Sequence, residues 1–252
     1  MTSEKKASQL TVVTTLQSGE KIITTDGSGT LHRISPEDLA NAMISPINLD
    51  GIFIMYHRSV DNSPVMCRPD RWPALQSAGE IADGVAIIEG GKVLVVAPTE
   101  AESLPWSSAA IAGGATTTSD RVTALNDWNG KTNTASIVAK STTSAVTNTT
   151  SYAAGFCNLY GRANANGRGL TAGKWWLPAL GEMMIYANMS KINYCLELIS
   201  GAAKLSETGY WVSTEGSATA AWAIHLQMGY INGGNTKASG KARVRPVSSY
   251  IE

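Results

Sequence analysis

Charge is scarce in this sequence. Charged residues fill 16% of its 252 positions, against roughly 25% in soluble domains. Twenty Lys and Arg balance 20 Asp and Glu. A neutral chain lacks the basic stripe that displaces counterions from nucleic acid, so no nucleic-acid partner is expected. Long apolar runs are missing too. Nothing approaches the ~18 residues that mark a membrane span, so no membrane insertion is expected. Cysteine occurs only as Cys67, Cys157 and Cys195. A zinc site or a disulfide framework needs paired short spacings, which these lack. The reading favours buried reduced thiols and leaves a single Cys157–Cys195 bridge open. Catalytic signatures are also missing: there is no G-x-S-x-G, Walker A, G-x-G-x-x-G after a strand, or H-E-x-x-H. The start, MTSEKKASQLTVV, has only a brief apolar patch broken by Thr and does not read as a secretory signal.

What is there instead is Gly (24 residues), Ser, Thr, Asn and Ala, with seven Trp against two Phe. The length allows one large domain or two small ones. Residues 1–47 read as a short segment of their own. A β-prone run, Leu10 to Leu16, leads through a Ser18-Gly19 turn to a strand at Lys21–Thr25. A tight turn at Asp26–Gly29 follows, then a strand at Thr30–Ile34. Ser35-Pro36-Glu37-Asp38 opens a helix with Leu39 and Met43 on one face. A hairpin and one helix bury too little surface to stand alone, so this piece should need a partner or its own copies. Ile44 to Asn48 reads as the linker.

Residues 48–252 form the larger domain. Strands are expected at 51–56 and across 85–97, where Gly90-Gly91 makes a two-residue hairpin turn. Residues 107–151 read as long ordered loops with one short helix near Ser119 to Trp128. Helices are expected from Thr149 to Tyr160 and from Pro178 to about Ile199, the second with a break near Asn188 to Ser190 and a stop at Gly201. From Tyr210 the period becomes two. Trp222, Ile224 and Leu226 then face one way, and Ala221, Ala223, His225 and Gln227 the other. A turn at Met228-Gly229, a return strand at Tyr230-Ile231 and a last strand at Ala242 to Val247 complete the chain.

Single residues mostly read as structural. His32, His57 and His225 are far apart in sequence, and only His225 falls at an exposed strand position. Asn126-Asp127-x-Asn129-Gly130 offers oxygens to calcium, but its Gly comes two places early for an EF-hand, so an Asx turn is the reading. No metal and no cofactor are expected. Trp175-Trp176 reads as core packing before a stacking platform. Arg243 and Arg245 read as partners of a structural ion pair with an acid such as Glu182 or Glu215.

The C-terminal half carries an ordered series of motifs: Trp175-Trp176-Leu177-Pro178-Ala179-Leu180-Gly181-Glu182, then Tyr210-Trp211-Val212-Ser213-Thr214-Glu215, Ala221-Trp222, and Val244-Arg245-Pro246-Val247. Upstream stand Ile81-Ala82-Asp83-Gly84-Val85-Ala86, Leu104-Pro105-Trp106-Ser107, Asn129-Gly130-Lys131-Thr132-Asn133-Thr134 and Ala153-Ala154-Gly155-Phe156-Cys157. The series resembles the C-type-lectin-fold variable proteins of diversity-generating retroelements. Val212 departs from it, since that family usually has Ser there. Residues 1–45 are similar, more loosely, to N-terminal segments of phage tail and fibre proteins. The resemblance implies an α+β, C-type lectin-like domain of two helices plus antiparallel hairpins, behind a short N-terminal β/helix segment.

It also implies binding without catalysis: a phage tail receptor-binding protein on the virion, made in the host cytoplasm. Such a protein would be a homotrimer with phage tail proteins as neighbours and a bacterial cell-surface protein or glycan as ligand. In that family a rigid scaffold displays residues diversified by mutation at adenines. Val212, Gly216, Ala220, Ala223, His225, Tyr230, Gly233, Gly234, Asn235, Gly240 and Ala242 are reachable that way from Asn codons, and they fall in turns or on the outward phase of strands. Gln227 and Met228 are not reachable. Trp211, Trp222, Ile224, Leu226, Val244 and Pro246 take the scaffold phase. Two other readings stand beside this one: a bacterial, non-virion binding protein with the same head, and a formylglycine-generating-type enzyme. The enzyme needs a close cysteine pair near the C-terminus, and no cysteine follows Cys195.

Overall fold

In a computed structural model, Ile22–Thr25, Leu31–Ile34 and residues 50–183, 186 and 188–249 are described. The chain divides into two compact units, Met1–Ser45 and Pro46–Glu252. In the first, strands β1 (Ile22–Thr25) and β2 (Leu31–Ile34) pair antiparallel, Ile22 opposite Ile34 and Thr25 opposite Leu31. That is the expected hairpin. The anticipated strand at Leu10 to Leu16, the two turns, the helix from Ser35 and the linker at Ile44 to Asn48 lie outside the described residues.

The second unit is a mixed α+β structure built on two five-stranded sheets. The first is antiparallel, in the order β12-β6-β5-β3-β4. It contains β3 (Gly51–His57), β4 (Pro64–Cys67), β5 (Ala82–Glu89), β6 (Lys92–Val96) and β12 (Val247–Ser248). Gly90 and Gly91 join β5 to β6 with φ of 55° and 75°, the left-handed pair that a two-residue hairpin turn demands. The apolar stretches Val85–Ile88 and Val93–Val96 have a packing reason: both faces of this sheet are covered. Ile54, Val85, Ile87, Leu94 and Val96 enter the main core. Met55, Ala86 and Val95 enter a smaller cluster on the other face with Leu170 and Trp175.

The second sheet runs β10-β9-β8-β11-β7. Its strands are β7 (Ala101–Leu104), β8 (Gly209–Glu215), β9 (Ala220–His225), β10 (Tyr230–Thr236) and β11 (Ala242–Val244). All pairs are antiparallel except β8 with β11, which are parallel. Core residues pack on both of its faces, although β10 and the end of β9 stay partly exposed. Tyr210, Val212, Trp222, Ile224 and Ile231 enter the main core, while Trp211, Ala221 and Val244 join Trp106, Ile137 and Leu177 in another cluster.

Among the described residues six α-helices pack around these sheets: α1 (Trp72–Ser77), α2 (Arg121–Leu125), α3 (Gly130–Ala139), α4 (Ala153–Leu159), α5 (Leu180–Met183) and α6 (Met189–Leu198). Helix α3 falls where loops were anticipated. Its buried residues include Asn133 and Thr134, so it has no apolar stripe, and its polar side chains make tertiary hydrogen bonds instead. Thr134 Oγ1 donates to Leu177 O at 3.2 Å and accepts from Leu177 N at 3.0 Å. The helix anticipated from Pro178 with a break near Asn188 to Ser190 is described as α5, which starts at Leu180, and α6, which starts at Met189 behind Asn188.

All three cysteines are free and buried, so there is no Cys157–Cys195 bridge. Trp175 and Trp176 are buried, as the core-packing reading holds. Arg243 and Arg245 do form a structural ion-pair system, but around Glu100 rather than Glu182 or Glu215. No helix among the described residues is long and apolar enough to cross a membrane.

Candidate functional site

Strand register decides which of the anticipated positions share a surface. Tyr230 lies opposite His225 and Asn232 opposite Ala223, and Ala223 lies opposite Trp211. Directly paired residues share one side of a sheet, so these five do. Arg243 pairs with Tyr210, which alternation converts into Ala242 on the Trp211 side. Trp211 forms the floor. It is buried, its indole N–H donates to Leu104 O at 2.8 Å, and its ring lies 3.3 Å from where a Cβ on Gly240 would stand.

Around this floor Ala223, His225, Asn232, Gly240 and Ala242 are half-buried. Tyr230 is 56% exposed and Met228, in the hairpin turn, 72%. His225 Nδ1 is buried with no hydrogen-bond partner. Five of the anticipated residues thus gather here: Ala223, His225, Tyr230, Gly240 and Ala242. Asn232 was not anticipated, although alternation from Tyr230 gives it the same phase. Met228 was set aside by codon arithmetic, which says nothing about exposure.

Other positions differ from expectation. Val212 is fully buried and enters the main core with Ile224, so the phase expected for β8 is reversed: Trp211, expected on the scaffold side, shares the side of Ala223. Ala221, on β9, is buried in the cluster of Trp106 and Trp211. Gly216, Gly233 and Gly240 are close-approach positions rather than display positions. A Cβ on Gly216 would stand 1.9 Å from Gly233 O, one on Gly233 2.6 Å from the Trp222 ring, and one on Gly240 2.5 Å from Thr236 O. Ala220 is half-buried at the start of β9, and Gly234 is exposed. Asn235 donates from Nδ2 to Asn232 O at 2.8 Å, and Asn232 Oδ1 accepts from Gly234 N at 2.9 Å. Those bonds hold the bulge of β10 between Asn232 and Asn235.

Beneath the sheet the W-V-S-T-E motif explains itself. Thr214 and Glu215 are fully buried. Thr214 meets Asp127, whose carboxylate also accepts from Asn133 Nδ2 at 2.9 Å, from Thr116 Oγ1 at 3.2 Å and from Asn129 N at 3.1 Å. The last bond is the expected Asx turn. Glu215 pairs with Lys237, both without exposure. Burial pulls the Lys237 ammonium below its ordinary range, against the opposing pull of Glu215. Glu182 is buried and has no cation within ion-pair reach among the described residues. It accepts from Ala179 N at 2.8 Å and from Trp176 Nε1 at 3.2 Å. Desolvation pushes its pKa up to about 7. His57 is buried against Asp83, Nδ1 to Oδ2 at 2.7 Å.

No family model matches this chain, and no curated protein matches it. Among solved structures, a fimbrial protein from Bacteroides ovatus is similar, with a TM-score of 0.43 and 13% identity. The match takes in 91% of this chain and 48% of that one. The likeness is distant.

Proposed function

We propose that this chain is a binding protein: a phage tail or fibre receptor-binding protein with a C-type lectin-like head that recognises a bacterial surface protein or glycan. The observation that carries the reading is the pairing of Tyr230 with His225 at the tip of a hairpin whose other face is anchored in the main core. Tyr supplies rigid amphipathic area at small entropic cost, and Ala, Gly and Asn shape the surface around it. Modest affinity at one site is multiplied by avidity in a homotrimer. Thiol chemistry of the formylglycine-generating kind is disfavoured, because burial pushes the Cys157 thiol well above its ordinary range and that of Cys195 up to about 11.

The test is labelling of a panel of bacterial strains with the fluorescent protein and with its His225→Ala/Tyr230→Ala variant. A strain labelled by the wild type should bind the variant at least about tenfold more weakly, a loss of about 1.4 kcal/mol. Equal labelling by both proteins, or no strain labelled by the wild type, would refute the reading. Removal of residues 1–47 should leave a monomer by light scattering, and a trimer that survives the deletion would move the subunit contacts into the head.

A further inference from the structure

A cavity of about 360 Å³ opens beside α6, lined by Ile52, Pro69, Ser190, Lys191, Tyr194 and Cys195. Three segments distant in sequence build it: the start of β3, the short 3-10 turn Pro69–Arg71, and α6. Its volume lies within the roughly 300–1,000 Å³ of small-molecule sites. The floor is the edge of the main core, where Cys195 is 2% exposed and Ile52 packs against the buried cluster. The mouth is polar: Ser190 and Lys191 are exposed, and Tyr194 is 54% exposed. None of these residues belongs to the Tyr230 face.

The charges around the cavity favour an anion. Lys191 is the one charged residue of the lining. The acids nearest to the lining in sequence are already paired, Asp70 with Arg68 at 3.3 Å and Glu197 with Lys204. Lys191 itself has no ion pair among the described residues. Helix α6 also starts without an acid in its first turn, and the Asn188 side chain caps none of its amides. Uncapped amides at a helix start carry partial positive charge, which adds to that of Lys191.

The walls favour an aromatic body. Ile52 and Pro69 offer apolar contact, and the Tyr194 ring stands half in solvent beside them. Covering that ring removes apolar surface from water, and a second ring adds an offset or edge contact. The Cys195 thiol lines the floor with its weak S–H donor unpaired among the described residues.

We propose that this cavity binds a small aromatic carboxylate, its ring between Tyr194 and the Ile52–Pro69 wall and its carboxylate on Lys191 and Ser190. The site is separate from the receptor-binding face proposed above, and neither proposal depends on the other.

The experiment follows backbone amide shifts of the full chain by NMR during titration with indole-3-acetate and 3-phenylpropanoate. Indole-3-acetamide and tryptamine, neutral and cationic, are the charge controls. At least one carboxylate should saturate, with shifts confined to Ile52, Asp70 and Ser190–Cys195. The amide and the amine should bind at least about tenfold more weakly. Lys191→Met and Tyr194→Ala replace exposed side chains, so both should keep the wild-type melting temperature. Each should weaken carboxylate binding by at least about tenfold. The proposal is overturned if neither carboxylate saturates at millimolar concentration, or if the acetamide or tryptamine binds as well. Shifts that fall elsewhere, or wild-type binding by either folded variant, overturn it too. The probe series on the wild type decides the charge preference even where a variant does not fold.

Discussion

Thr214 donates its hydroxyl to the Asp127 carboxylate at 2.7 Å, and the same oxygen accepts the Leu180 amide at 3.0 Å. A single hydroxyl thereby joins β8, the turn ahead of α3 and the start of α5. Both side chains are buried, so each bond stands against the full cost of an unmet polar group. Thr214→Val keeps the shape and removes both bonds. It should cost about 1–3 kcal/mol in urea denaturation, while Thr214→Ser, which keeps the hydroxyl, should cost visibly less. Equal losses would show that the methyl group matters and the hydroxyl does not.

Glu182 should make stability fall as pH rises. Its folded pKa of about 7 lies above the ordinary 4.5. Between those values the unfolded chain has released the proton and the folded chain still holds it. Rising pH therefore favours unfolding across that window and has no further effect through this group above it. The change is on the order of 3 kcal/mol. Glu182→Gln should flatten the profile between about pH 5 and 7 relative to the wild type. Parallel profiles would mean that Glu182 is ionised throughout.

Glycines in one bulge should respond oppositely. A Cβ at Gly233 would collide with the Trp222 indole, whereas one at Gly234 would meet nothing nearer than Asn232 Oδ1 at 3.4 Å. Gly233→Ala should destabilise by about 1–3 kcal/mol, as overpacking does. Gly234→Ala should stay within about 0.5 kcal/mol. Thermal unfolding of the two variants compares them directly, and similar shifts would contradict the bulge geometry.

Scaffold and display residues on neighbouring strands should separate in the same way. Trp222→Ala should cost about 3–5 kcal/mol, the loss typical of a buried aromatic. Tyr230→Ala should cost less than about 0.5 kcal/mol, because its side chain is mostly in water. Chemical denaturation that ranks Tyr230→Ala as the more damaging would reverse the assigned strand phase.

The thiols give a direct check on burial. Cys67, Cys157 and Cys195 are free and buried, so a thiol reagent should react with none of them quickly in the native protein and with all three in denaturant. A native protein with one fast thiol would place that cysteine at the surface.

Local signals were legible where chemistry acts over a few residues. The Gly90-Gly91 turn, the paired strands at Ile22–Thr25 and Leu31–Ile34, and the inward phase of Trp222 and Ile224 all follow from turn chemistry and alternation. Helix α3 did not follow. Its burial runs through Asn133 and Thr134, and a polar residue announces a core position only when its partner is known. Val212 failed for a related reason: alternation separates two faces of a strand but cannot say which of them packs on the main core.

The sequence by itself determined the Gly90-Gly91 turn with the strands it joins and the alternation of Trp222 and Ile224 with Ala223 and His225, because each depends on backbone preference or spacing within one segment. Tertiary structure alone decided that Lys237, distant in sequence from Ile111, closes over Glu215. It likewise decided that Arg245 reaches Glu100, and that Gly216 is pressed against Gly233. These are contacts between segments brought together by the packing of two sheets, and a buried charge or a missing Cβ has meaning only against the neighbour that the fold supplies.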